Sequence, residues 1–460
     1  MNKENPMRTL QKLFIEHMLY PAMEKLKGNQ IRMKLHYFQL NEYRSMESIE
    51  SIQMKKLSDL LRHCIKHVPA YQSLKLQEEE ILKSPIHFLH ENIPVLRKST
   101  FQANSEAYLS DNIDKADLIL NRTGGSTGEP VQFYMTREQV ETYEAARWRG
   151  LSWYHITPGS RSIMIWGNPV ELTQSAQRKY QFRERLLKNR IIISAYQLSY
   201  STIREKVMQI EQYKPEYIYG YSSALTSFAK MMLKADIQIR LKLKVVVSTA
   251  ETLTDAQKAI LEKAFQCPVA NEYGARDAGI LAYSCPDGHL HISAENSIIE
   301  VLDPITLQPL PAGHTGTLAI TDLNNFAQPR LRYLLGDVGA LSPTSCKCGH
   351  VLPVLANLEG REDAMLLGEN GQIVHGNVIG QIIRRYDGVR QFRFVQHSPT
   401  SATLFLALSE PDTAPTMQIV SEIQKLLPST KIDVQFVDSI PPTASGKMRY
   451  AIREFPLRHI

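Results

Sequence analysis

The chain has 460 residues, more than a single ordinary core accommodates, so about two or three domains are expected. Hydrophobic residues make up 43% and charged residues 22%, the balance of a soluble globular protein. A formal net charge of +6 is modest for this length: it suits an anionic substrate such as a nucleotide and does not single out nucleic acid.

Met1–Gln30 mixes Lys, Glu and Arg with apolar positions and lacks the uninterrupted apolar core of a signal peptide. Its plain reading is an ordinary amphipathic helix, preferred over a membrane-surface role. No later stretch is long enough to span a bilayer, so a cytoplasmic protein without a membrane span is expected. The five cysteines, at 64, 267, 285, 346 and 348, are odd in number and follow no secretion signal. That argues against a disulfide framework and allows a metal site.

Up to about residue 110 the chain is rich in helix formers, with Leu57, Leu60, Leu61, Cys64 and Ile65 at helical spacing. A strand at Leu118–Leu120 then leads through a Gly/Ser/Thr loop to a helix from Thr136 to about Gly150. Buried strands are expected at Ser162–Trp166, Ile191–Ser194, Tyr217–Tyr219 and Val245–Val247, with helices at Ser201–Gln212 and Ala224–Lys234 between them. This alternation predicts an α/β fold with largely parallel sheets. Strands dominate from His289 to Leu341, with turns at Asp303-Pro304 and Ala312-Gly313. Gly360–Asp363 closes this body, giving an expected first domain at 1–362 and a small α+β domain at 363–460. The second domain reads as strands Gln391–Gln396 and Ala402–Ala407, a helix Thr416–Leu427 and a strand Lys431–Phe436.

Four segments can carry chemistry. In Thr123-Gly124-Gly125-Ser126-Thr127-Gly128, glycines let the backbone approach a ligand while hydroxyls and amides can surround phosphate oxygens. It is not a Walker loop, because Glu129-Pro130 stands where Lys-Ser or Lys-Thr is needed, and taken alone such a loop is more often a plain surface turn. Asn271-Glu272-Tyr273-Gly274-Ala275-Arg276-Asp277 offers an aromatic face and an acid able to hold a divalent cation, or an acidic turn with a structural tyrosine. In Pro329-Arg330-Leu331-Arg332-Tyr333-Leu334-Leu335-Gly336-Asp337 the final Asp can accept ribose hydroxyls or cap its own turn. Pro441-Pro442-Thr443-Ala444-Ser445-Gly446-Lys447 places a Lys on a loop of small residues, for a reacting phosphate or for solvent.

In this order and spacing the four segments resemble the adenylate-forming superfamily of acyl-CoA synthetases, peptide-synthetase adenylation domains and luciferases. The nearest likeness is to the phenylacetate–CoA ligase branch, including its capsular-polysaccharide-cluster relatives. Tyr333…Asp337, Gly360-Arg361-Glu362-Asp363 and Ser445-Gly446-Lys447 carry most of the likeness, which spans roughly Leu61 to Arg453. It implies a large nucleotide- and acid-binding domain followed by a small mobile one. Thr123, Gly124, Gly125, Ser126, Thr127 and Gly128 would then hold the β- and γ-phosphates of ATP. Tyr273, with Gly274, would lie against adenine beside Ala250 and Glu251, and Asp337 would take the ribose hydroxyls. Arg361 would touch ribose or phosphate, Asp363 would be the hinge, and Asp277 would hold Mg2+ with Arg276 beside it. Lys447 would stabilise charge as a carboxylate attacks the α-phosphorus, and coenzyme A would then accept the acyl group. Trp166, Tyr219, Tyr221 and Ser222, at strand ends, would line the acid pocket. An amine, a sugar or a carrier protein is the alternative acceptor, and a non-catalytic nucleotide-binding protein the alternative class.

The chain departs from the superfamily pattern in places. Arg276-Asp277 stands where Thr or Ser and then Glu are usual, Ala364 replaces a frequent second Asp, and Leu334-Leu335 replaces Arg-Thr. Cys346-Lys347-Cys348-Gly349, with Cys285 and His291 upstream, forms a Cys3His set suited to structural zinc. His289 competes for the fourth place, while His291 matches the Leu-His pattern of the ligase branch. No basic-aromatic helix accompanies the set, which argues against a nucleic-acid module.

Overall fold

The computed structural model describes residues 6–123, 131–166, 174–195, 198–361, 364–368, 373–386, 388–408, 410, 415–441 and 449–455. Residues 6–103 are mostly helical, and the longest helix among the described residues, Met46–His67, shows why. The Ser45 hydroxyl accepts from the Ser48 amide at 3.2 Å to cap its start, and Pro69 follows its end. Leu57, Leu60, Leu61 and Cys64 recur on one buried face and pack with Tyr71, Phe88 and Leu89.

Strands β1 (Ile119–Arg122) and β2 (Gln132–Met135) form an antiparallel hairpin. The central sheet has eleven strands. Its strands are β3 (Ser162–Trp166), β4 (Arg190–Ser194), β5 (Tyr217–Tyr221), β6 (Val245–Thr249), β7 (Val269–Ala275), β8 (Gly279–Ser284), β9 (Leu290–Ile292), β10 (Ser297–Leu302), β11 (Gly316–Asp322), β12 (Tyr333–Leu341) and β13 (Val354–Arg361). The spatial order is β10-β11-β12-β13-β9-β8-β7-β6-β5-β3-β4.

The expected parallel character holds from β4 to β7, where every pairing is parallel. Helices Ile203–Tyr213, Ser222–Lys234 and Asp255–Phe265 cover this half, and its strands read as unbroken apolar runs such as Val245-Val246-Val247. Beyond β7 every pairing is antiparallel. The change is forced by the turn at 276–278, which is far too short for a parallel crossover.

Strands β14 (Met365–Leu367) and β15 (Ile373–His375) form a small hairpin. The C-terminal sheet runs β18-β17-β16-β19, with β16 (Val389–Ser398), β17 (Ser401–Leu408), β18 (Lys431–Phe436) and β19 (Ala451–Arg453). Phe394, Leu404 and Leu406 from this sheet bury against Ile419 and Ile423 of helix Thr416–Leu426, a core separate from those of the central sheet. Among the described residues, no helix is long and apolar enough to cross a membrane.

Candidate active site

Asp337 and Arg361 are register partners on β12 and β13. Arg361 Nη1 donates to Asp337 Oδ1 at 3.3 Å and to the Leu335 carbonyl at 2.7 Å. Gly336 makes room for this: its φ is +77°, and a Cβ there would stand 3.0 Å from Arg361 Nη2. The second carboxylate oxygen of Asp337 accepts from the Tyr273 hydroxyl at 3.0 Å. Three strands separate β7 from β12, a gap of about 19 Å in a flat sheet at the usual spacing. The sheet therefore curls strongly here, around the short β9 and the bulges in the β12–β13 pairing. Burial, reinforced by the Asp337 charge, pushes the Tyr273 phenol well above its ordinary range, so it stays a proton donor.

The β7–β8 hairpin requires Gly274, since a Cβ there would meet the Gly279 carbonyl at 2.3 Å. Its turn presents Arg276 outward and Asp277 inward. Arg276 Nη1 donates to the Arg122 carbonyl at 3.3 Å, immediately before the Gly/Ser/Thr loop. Asp277 is buried, accepts from the Tyr333 hydroxyl at 3.2 Å, and has its carbonyl held by Arg330 Nη2 at 2.7 Å. Thr123 closes the neck of that loop: its amide donates to the Val131 carbonyl at 2.9 Å, and its hydroxyl accepts from the Val131 amide at 3.0 Å. Gly124, Gly125, Ser126, Thr127 and Gly128 lie outside the described residues, as do Asp363 and Lys447.

Ala250 has a φ of +65° at the end of β6, turning the chain so that Glu251 faces helix Ser222–Lys234. Glu251 Oε2 accepts from the Ser223 amide at 2.7 Å, which satisfies an otherwise open helix-end donor. Ser222 is fully buried, its hydroxyl bonded to Ser248 and 3.3 Å from the Glu251 carbonyl. Trp166 stacks on Tyr221 with ring centroids 3.9 Å apart and on Tyr219 at 6.0 Å.

Glu272, which sequence reasoning left without a role, ties these elements together. It accepts from the Tyr219 hydroxyl at 2.7 Å, from Thr249 Oγ1 at 3.1 Å and from Arg147 Nε at 3.2 Å. Its position beside Tyr273 was the only available signal. Arg147, far upstream on helix Arg137–Ser152, carries none.

Residues 366–454 match the family model described as the CapK C-terminal domain. Protein CapK of Staphylococcus aureus is 22% identical over 96% of this chain and 97% of its own length. Phenylacetate-coenzyme A ligase of Thermus thermophilus is 25% identical over 70% of this chain and 72% of its own. A crystal structure of 2-hydroxyisobutyryl-CoA ligase in the postadenylation state has a TM-score of 0.70 to this fold at 18% identity, covering 90% of this chain and 91% of that one. These relatives and structural neighbours belong to the adenylate-forming superfamily, and this chain is similar to them in sequence and shares their fold.

The chain also gathers Cys285, His291, Cys346 and Cys348 into one cluster, their ligand atoms all within 4.8 Å of one another. Cys285 and Cys346 Sγ are 3.9 Å apart, close to the ~3.8 Å edge of a tetrahedron with ~2.3 Å metal–sulfur bonds. Cys348 Sγ lies 3.2 Å from His291 Nε2. The His291 Nδ1–H donates to the Leu352 carbonyl at 3.0 Å, which leaves the Nε2 lone pair facing the thiols. Burial and the neighbouring thiols push Cys348 up to about 12 and raise Cys285, so the thiols resist ionising together without a cation among them. His289 Nδ1 is 3.3 Å from Cys346 Sγ and His350 Nδ1 is 3.4 Å from Cys348 Sγ, so further nitrogens stand at the rim. The donor chemistry suits a soft-to-borderline divalent ion in a closed, structural site.

Proposed function

We propose that this protein activates a carboxylic acid with ATP as an acyl-adenylate, releasing pyrophosphate, and passes the acyl group to a thiol, coenzyme A in particular. The observation that carries the reading is Asp337, which follows the positive-φ Gly336 within β12 and is held between Tyr273 and Arg361. A carboxylate so fixed has lone pairs left to accept two vicinal ribose hydroxyls. The likeness to Thermus phenylacetate-coenzyme A ligase supports the acid and thiol classes.

In this reading Thr123–Gly128 cradles the β- and γ-phosphates and Tyr273 lies along the adenine, with Ala250 and Glu251 beside it. The acid's carboxylate attacks the α-phosphorus, and the α–β bridging oxygen leaves with pyrophosphate. Mg2+ supplies charge neutralisation on the phosphates. Asp277, buried against Tyr333, has little freedom to approach it, and the exposed Arg276 adds a positive charge at the loop neck. Lys447 stabilises the charge that builds on the phosphoryl and carboxylate oxygens. The domain from 363 onward then turns about Asp363, withdrawing Lys447 and admitting the thiol. The Trp166–Tyr221 stack favours a flat or compact acid. Cys285, His291, Cys346 and Cys348 would hold a zinc ion that serves stability rather than the reaction. Use of ATP and cysteines without a disulfide support a cytoplasmic setting.

The test is acid-dependent formation of AMP and pyrophosphate across a broad acid panel, with hydroxylamine trapping the activated acyl group. The reading expects both products with at least one acid. Absence of both throughout overturns it and leaves the nucleotide-binding class that Arg276 motivates.

A further inference from the structure

The N-terminal helix turns its apolar side away from the protein. It runs from Pro6 to Phe14 and continues through a wider turn to Leu19. Its inner side is polar or small in contact: Lys12 Nζ meets Glu216 at 2.7 Å, and Glu16 accepts from Thr157 Oγ1 at 2.8 Å. Ile15 alone anchors the middle, 1% exposed. Leu10, Leu13, Phe14 and Met18, spaced as one opposite face, are 64%, 44%, 55% and 63% exposed. A helix that merely covers a core buries such a face.

The neighbouring helix Gln174–Lys188, which lies against 15–19, continues the pattern. Its Phe182 and Leu186 are 68% and 53% exposed, one turn apart, with Lys179 and Arg183 on the same side. Charge on these stretches is one-sided. Across 10–43 and 179–188 the exposed charged side chains are all cationic: Lys25, Lys27, Arg32, Lys179, Arg183, Arg185 and Lys188, of which Arg32 pairs with the buried Glu24 and Lys188 with the buried Glu184. The acids there are drawn inward: Glu24, Glu42 and Glu184 are buried, and Glu16 is half-buried on Thr157.

Scattered exposed apolar side chains need no explanation, but a helix face of them on stretches whose own exposed charges are cationic does. A second copy of the chain docked here would set like charges against one another. An anionic bilayer surface meets both features, taking the apolar face into its headgroup boundary and pairing lipid phosphates with the lysines and arginines. We propose that helices 6–19 and 174–188 form a peripheral docking face for anionic lipid membranes, holding the enzyme on the surface without spanning it.

The test is co-sedimentation of the full chain with vesicles of phosphatidylcholine alone and with about one-third phosphatidylglycerol. Binding to the anionic vesicles should exceed that to the neutral ones by more than ~10-fold and fade as salt shortens the screening length. Leu13→Ser with Phe14→Ser, and separately Lys179→Glu with Arg183→Glu, should each cut it by more than ~10-fold while leaving the melting midpoint unchanged, since all four side chains are exposed. Equal affinity for both vesicles, or binding that survives both double substitutions, overturns the proposal. So does a wild-type dimer that Leu13→Ser with Phe14→Ser converts to a monomer while vesicle binding is absent, which would assign the face to a second copy of the chain.

Discussion

The Tyr273 hydroxyl donates to Asp337 Oδ2 at 3.0 Å although the two residues belong to strands with three others between them. The contact closes the curled half of the sheet over the place where the ribose is expected. Asp337→Ala should weaken ATP binding by more than ~100-fold, because a charged acceptor for two hydroxyls is lost. Tyr273→Phe removes one orienting donor worth about 1 kcal/mol and should weaken binding by about 5-fold. Titration calorimetry with ATP separates the two, and equal effects would contradict the division of roles.

Cys346→Ser should abolish the zinc content, expected at about one ion per chain, and lower the melting midpoint. Mass spectrometry of the purified protein reads the metal. A chelator should reproduce the loss of stability in the wild type and have no further effect on the variant.

Arg149 is buried against Glu295 at 2.8 Å, with both side chains nearly fully enclosed. Arg149→Met leaves an uncompensated buried carboxylate and should cost about 3–5 kcal/mol in urea unfolding. Adding Glu295→Leu should recover a large part of that loss, as expected when the cost comes from the stranded charge.

Glu216 fastens the N-terminal helix, bonded to Lys12 and Lys244 at 2.7 Å each. Burial raises its carboxyl, but the two lysines outweigh it and hold it below the ordinary value of 4.5. The stabilisation is complete above that value and is lost as pH falls below it, through the depressed folded pKa. Proteolysis near residues 10–19 should therefore accelerate in acid. Glu216→Gln should be susceptible already at neutral pH and show no such step.

Much of the fold is legible because buried parallel strands announce themselves. Ser162–Trp166 has the bounds its apolar run predicts, and the exposed Lys431–Phe436 has the bounds its alternating pattern predicts. The capping box at Thr254 and Gln257, which starts helix Asp255–Phe265, was present as a signal and is readable in retrospect. Helix Gln174–Lys188 was hidden by its polarity, since two of its few large apolar residues, Phe182 and Leu186, face outward. At the site, the motifs locate Asp337, Tyr273 and the Cys3His set, but not what each residue touches. Gly336 is needed because of Arg361, and Glu272 matters because of Arg147 and Tyr219. Those partners meet only once the sheet curls, and no local pattern encodes that curvature.

The most direct measurement of the central claim compares Lys447→Ala with the wild type in two assays, acid-dependent ATP–pyrophosphate exchange and thioester formation from a preformed acyl-adenylate. Removal of one charge-stabilising donor should lower the first by about 10²–10³-fold and leave the second nearly unchanged. Equal loss in both assays, or none in the first, would contradict the assignment of Lys447 to adenylate formation.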